Sequence, residues 1–118
     1  MLLVSITQNC TGQSMIRSKH LTQSARDQDC TLQIADVCHN NTATTVLAHL
    51  PDESAGRGLK ADDISSCFAC ADCHAVLDRQ VNTELSNEDR EFYMRRAQVR
   101  TLRVWIDLGL AKFKGVAA

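Results

Sequence analysis

Cys70-Ala71-Asp72-Cys73-His74 is the stretch on which the reading of this chain turns. Two thiolates separated by two residues can clasp one tetrahedral zinc, and a second pair, Cys30 and Cys38, lies about forty residues upstream and can close a four-sulfur site. Four thiolates leave no open coordination position, so such a zinc is structural and His74 stands just outside it. Cys67-x-x-Cys70 is an alternative pair. Cys70 with Cys73 is preferred because the pair opens a helix, where partial positive charge favours thiolates, and Cys67 is then a buried thiol. A pair of disulfides is the rival arrangement, and covalent haem attachment is a further reading of CxxCH.

The 118 residues suffice for one domain with a modest core, and aromatic residues make up only 4% of the chain, so a structural metal would add stability that packing does not supply. Thirteen basic and fourteen acidic residues exclude a polycation, and any contact with nucleic acid must come from a local basic patch. The apolar start, residues 1–7, lacks a basic flank and a small-residue cleavage site, so neither a signal peptide nor a membrane span is expected. A cytoplasmic setting follows, and with it the metal reading of the cysteines. Residues 1–14 read as a poorly ordered extension and 15–118 as a single domain.

Along that domain, residues 19–29 are polar and read as a loop or single turn. Residues 30–37 carry Leu32 and Ile34 at alternate positions, the pattern of a short half-buried strand, and Cys38-His39-Asn40-Asn41 is turn chemistry. Thr44-Thr45-Val46-Leu47 predicts a strand that delivers His49 and stops at Pro51. A helix is expected over 73–80. Another starts at the N-cap Ser86, with Glu88 and Asp89 in its first turn, and ends at Gly109; Phe92, Val99, Leu102 and Ile106 form its expected buried stripe.

His74 and Asp78 lie one helical turn apart, a spacing that can hold Mg²⁺, Mn²⁺ or Zn²⁺ while leaving positions open for water and phosphate. His49, ending the strand, can take a proton from water attacking a phosphodiester. The plainer alternative makes His74 a cap on the zinc knuckle and His49 a satisfied core histidine. Arg96, Arg100 and Arg103 form a row on the last helix that suits phosphate contact or is simply a solvated face. Arg57, Lys60 and Arg79 add charge near the proposed site.

Two ordered pieces, Cys-x7-Cys leading to Thr-Thr-Val-Leu-Ala-His-Leu-Pro and then Ala-Cys-x-x-Cys-His-x-x-Leu-Asp, resemble the YbcO family of small phage and prophage proteins. These are nucleases of the HNH, or ββα-metal, type, and the likeness covers residues 15–110. The resemblance implies an α+β fold: a zinc-stapled ββα-metal finger with a long C-terminal helix. It also implies His49 as base and His74 as metal ligand, with Asp78 at a second ligand position. Asp63 falls where the wider group has an orienting asparagine, and serves to orient His49 or to contribute a ligand. The chain departs from the pattern at Ala48, where a further ligand is usual, at Asp63 itself, and at Ala55 and Ala75. His39 and Asp62 are candidates to supply the missing ligand.

The function so implied is metal-dependent cleavage of DNA phosphodiesters in phage replication or recombination, within the bacterial host cytoplasm. It would use a structural zinc and a catalytic Mg²⁺, Mn²⁺ or Zn²⁺. The alternative is a non-catalytic zinc module that binds DNA or a recombination or replication protein.

Overall fold

A computed structural model describes residues 15–51, 61–81 and 83–117. Helix α1, Lys19–Ser24, is followed by a 3₁₀ turn at Thr42–Thr44 and strand β1, Val46–His49. Strand β2, Ser66–Ala69, leads into helix α2, Ala71–Leu77, and the long helix α3, Asn87–Asp107. The strands pair antiparallel with Val46 opposite Ala69, Leu47 opposite Phe68, Ala48 opposite Cys67 and His49 opposite Ser66. The architecture is a small α+β fold built on a two-stranded sheet. The extension over 1–14, together with Ala55, Arg57 and Lys60, lies outside the described residues.

Alternation along the strands divides the core in two. Ala48 and Leu50 face a cluster with Cys67, Ala69, Cys30, Cys70 and Cys73, Val76 and Leu77 of α2, and Met94 and Ala97 of α3. Leu47 and Phe68 face the other way and pack with Leu21 and Ala25 around α1 and with Trp105 of α3. Phe68 and Trp105 meet edge to face, with centroids 6.3 Å apart, and the Trp105 indole N–H donates to Ser24 Oγ at 2.8 Å.

Three expectations from sequence are corrected here. Residues 30–37 are not a strand. The sulfurs of Cys30 and Cys38 lie within 4.8 Å of each other, whereas eight extended residues would separate the ends by about 26 Å. The loop curls through left-handed backbone at Gln33 and Asp36, with φ of 47° and 62°, and still buries Leu32 and Ile34. Residues 19–24, read as polar loop or turn, are a helix whose N-cap Ser18 accepts from the Leu21 N–H, with Leu21 buried against the sheet.

The third correction concerns α3. Its buried residues are Met94, Ala97, Thr101 and Trp105, while Phe92 and Val99 are 58% and 55% exposed. Ala97 and Thr101 can face inward between Met94 and Trp105 because α3 lies against the free edge of β2. Thr101 Oγ1 accepts from the Phe68 N–H at 3.1 Å. The Phe68 carbonyl accepts from the Thr31 N–H at 2.8 Å and from the Thr31 hydroxyl at 2.9 Å, and the two threonine hydroxyls are 3.0 Å apart. With Thr101 donating to Thr31, every polar group in this buried set is satisfied and the strand edge is closed. A bulky aliphatic residue at 101 would bar that approach. Phe92 instead meets Tyr93 edge to face and lies under the Arg96 guanidinium.

The ends of α3 match the expected signals. Ser86 Oγ accepts from the Asp89 N–H at 3.0 Å. Beyond the C-cap Leu108, Gly109 takes φ 75°, and Leu110 N–H closes back onto Trp105 O at 2.8 Å, a Schellman turn.

Thr101→Val should cost about 1–3 kcal/mol, because it leaves the buried Phe68 N–H without an acceptor; Thr101→Ser should lose less. Urea unfolding of the three chains tests this, and equal midpoints for valine and wild type would contradict it.

Candidate metal centre and histidine site

Cys30, Cys38, Cys70 and Cys73 bring their four sulfurs within 4.8 Å of one another, and all but Cys38 are buried. Tetrahedral zinc with Zn–S of about 2.3 Å requires sulfurs about 3.8 Å apart; Cys38 and Cys70 are 3.9 Å apart. The loop over 30–38 supplies one pair, the start of α2 the other, with Cys70 as the helix N-cap. Asn40 holds the loop by accepting the Cys30 N–H at 2.8 Å, and Arg96 reaches from α3 to the Leu32 carbonyl at 2.9 Å. The five described cysteines are all free thiols, so the disulfide arrangement is not formed among them.

Electrostatics also favour a cation here. A hydrogen bond from Cys73, working against burial and aided by backbone N–H groups of Gln33 and Cys70, brings the Cys30 thiol down to about 5. Burial, with the Cys30 charge nearby, pushes Cys38 up to about 11. Cys73 is driven far above the usual thiol range, first by its hydrogen bond to Cys30 and then by burial. Four thiolates this close together need a divalent ion to balance them. The donor set therefore fits a structural metal, with soft sulfur ligands suited to zinc. Cys67 is fully buried on β2 and stands outside the set; burial pushes its thiol up to about 12.

On the α1 side of the sheet, His49 Nε2 lies 2.8 Å from Asp63 Oδ1. Asp63 is the better fixed of the two. Its Oδ2 accepts from the Ser18 N–H at 2.7 Å, and Arg17 Nη1 lies 3.7 Å from Oδ1. Burial acts to raise Asp63, but the bonds from His49 and Ser18 and the charges of His49 and Arg17 outweigh it, holding the carboxyl below its ordinary 3.8. An ionised Asp63 requires the proton of neutral His49 on Nε2, which leaves the Nδ1 lone pair free. The His49 side chain keeps 21% of its surface exposed, and Asp63 only 4%. The pair is thus a held, partly open acid–base group.

His74 Nε2 and Asp78 Oδ2 are 3.1 Å apart on α2. Among the described residues, no third histidine, cysteine or acid brings a donor atom to this pair. His39 pairs instead with Asp72 at 2.8 Å, and Asp62 Oδ1 accepts from the Ile16 N–H at 2.8 Å. Strand alternation turns Ala48, not His49, toward the side on which α2 packs. The structure therefore joins His49 to Asp63 and His74 to Asp78, but does not gather the four into one ligand cluster. Of the arginines, Arg103 is exposed, Arg100 reaches Gln33 Oε1 at 3.1 Å, Arg96 is engaged with the loop carbonyls, and Arg79 bonds Asn87 Oδ1 at 2.8 Å. Sequence reading missed Arg17 and Ser18; the available signal was Ser18 as N-cap before Leu21.

A family model described as "Putative nuclease YbcO" matches residues 19–110. "Putative nuclease YbcO" of Escherichia coli K12 and "Putative nuclease ybcO" of Enterobacteria phage 82 are each 31% identical over 93 residues, covering 78% of this chain and 96% of the relative. A solved structure titled "Structure of a putative bacteriophage protein from Escherichia coli str. K-12 substr. MG1655" superposes with a TM-score of 0.61 at 27% identity, covering 75% of this chain and 98% of that one. No described helix is long and apolar enough to cross a membrane.

Two measurements check the site. Native mass spectrometry should find one metal ion per chain in wild type and Cys67→Ala, and none in Cys73→Ala. In the pH dependence of unfolding, the stability due to the depressed Asp63 is present above its ordinary 3.8 and is lost as pH falls through the lower folded value. Asp63→Asn should accordingly lose less stability than wild type between about pH 5 and pH 2. Parallel acid limbs would contradict this.

Proposed function

The chain belongs to the YbcO family, and on that premise we propose that it is a metal-dependent endonuclease hydrolysing DNA phosphodiester bonds during phage replication or recombination in the bacterial cytoplasm. The observation that carries the reading is the His49–Asp63 pair, whose bonding leaves a basic nitrogen at a partly open position.

Phosphodiester hydrolysis needs a deprotonated water, neutralisation of charge on the scissile phosphate, and a fixed substrate. His49 Nδ1 accepts the proton of the attacking water. Asp63 is a positioning residue: it fixes the ring and tautomer and stabilises the imidazolium that forms. Ser18 and Arg17 hold Asp63 in turn. His74 and Asp78 would hold the catalytic divalent cation, Mg²⁺, Mn²⁺ or Zn²⁺, whose chemistry when bound is to stabilise charge on the phosphate and leaving oxygen. The four cysteines would hold a structural zinc that keeps α2 in register with the sheet. Arg57, Lys60, Arg79, Arg96, Arg100 and Arg103 are the candidate phosphate contacts. Of the described ones, Arg103 is the most readily available, since Arg96 is occupied by loop carbonyls.

One observation favours the second reading, a non-catalytic zinc module binding DNA or a recombination or replication protein. The His74–Asp78 pair has only two ligands, and a methyl group at Ala48 faces α2 where relatives of the wider type carry another. Plasmid and single-stranded DNA cleavage in Mg²⁺ or Mn²⁺ separates the two. Loss of a general base should lower the rate by about 10²–10⁴ in His49→Ala, with metal content unchanged. No metal-dependent cleavage by wild type, or equal cleavage by both chains, would reject the enzyme reading with His49 as base.

A further inference from the structure

Helices α2 and α3 end in the same hydrogen-bonded turn but with different residues at its left-handed position. In α3 that residue is Gly109, the residue best suited to positive φ. In α2 it is Arg79, at φ 57°, while Gln80 N–H bonds Ala75 O at 2.8 Å and Arg79 N–H bonds Val76 O at 3.1 Å. A β-carbon is disfavoured in this conformation, so backbone stability alone would select glycine. What arginine adds is its side chain.

That side chain lines a cavity of about 120 Å³ together with Arg90, between walls that include Val76 and Leu85. Each guanidinium is anchored by a neutral acceptor. Arg79 Nη2 donates to Asn87 Oδ1 at 2.8 Å, and Arg90 donates from Nε and Nη2 to the Leu77 carbonyl at 3.2 and 2.8 Å. Neither takes part in any of the ion pairs found among the described residues. Two oriented guanidiniums that line one small cavity, with no carboxylate paired to either among the described residues, suit a tetrahedral oxyanion, which can accept from both. The size admits a phosphate group rather than a base with its sugar.

We infer that the Arg79–Arg90 pocket, at the junction of α2 and α3, is a phosphate-binding subsite that seats one backbone phosphate of the bound nucleic acid. The choice of a backbone phosphate rests on the nuclease reading; the affinity of the pocket for phosphate does not. Arg79 follows directly in the chain on Asp78, the C-cap of α2 and a member of the candidate cation pair.

The test uses the full chain and two probes. Inorganic phosphate is titrated while the arginine Nε–Hε resonances are followed by NMR, and binding of a labelled DNA oligonucleotide is measured by anisotropy over a range of salt. The variant is Arg79→Gly, which relieves the left-handed strain and should fold at least as stably as wild type. In wild type, phosphate should shift the Arg79 and Arg90 signals together. In the variant, the Arg90 shift should disappear, DNA binding should weaken, and the slope of log K against log salt should fall by about one. No shift in wild type would overturn the subsite. A phosphate shift with DNA affinity and salt slope unchanged by Arg79→Gly would overturn the backbone assignment and leave a site for free phosphate. Absence of DNA cleavage with both expected effects intact would reject the nuclease reading alone. As a control on Arg90, Arg90→Lys, measured well below its own thermal midpoint because it gives up the paired bonds to the Leu77 carbonyl, should weaken DNA binding, and full affinity in that variant would count against a two-arginine site.

Discussion

Four sulfurs held within 4.8 Å of one another constrain nearly everything around them. The loop from Cys30 must double back within eight residues to present Cys38, which forbids an extended strand and turns the chain through left-handed backbone at Gln33 and Asp36. The second pair must meet it from the other side, so α2 begins at Cys70, directly where β2 ends. The knuckle is then secured from outside by α3, through Arg96 to the Leu32 and Gln33 carbonyls and Arg100 to the Gln33 side chain. In a chain with so few aromatics, a metal at this centre joins three segments that have little apolar surface of their own.

From that centre the two-stranded sheet separates two chemical environments. One face carries the cysteine site and α2; the other carries α1, Phe68, Trp105 and, at its end, the His49–Asp63 pair. Neighbouring residues on β1 therefore have different duties. Ala48 packs toward α2 and His49 turns to Asp63, because side chains one residue apart on a strand point to opposite faces. Asp63 can remain ionised although buried because a backbone N–H, an imidazole and a guanidinium together replace the water it has lost. The partners of that charge come from residues 17 and 18, ahead of α1.

Polar contacts, more than apolar area, seat α3 on the sheet. Thr31, Phe68 and Thr101 form a closed set on the outer edge of β2, and this requires the helix backbone to come close. Phe92 and Val99 are left facing outward, while Leu102 is half-buried against the Phe68–Trp105 cluster. The apolar periodicity places Phe92 and Val99 inward, whereas hydrogen bonding to an exposed strand edge brings Thr101 there.

Local signals were sufficient for much of the molecule. The four clustered cysteines, the strand ending at His49, the Ser86 cap and the Gly109 stop all follow from spacing and residue chemistry. The family was legible too, since it rests on an ordered set of such pieces. What the sequence by itself could not determine was which face each element turns inward and which distant groups meet. The burial of α3, the helical form of 19–24 and the support of Asp63 by Ser18 and Arg17 depend on contacts between residues 33 to 81 apart in the chain. Such contacts exist only after the chain has closed around its cysteine centre, and tertiary packing then overrides the local preference of each segment.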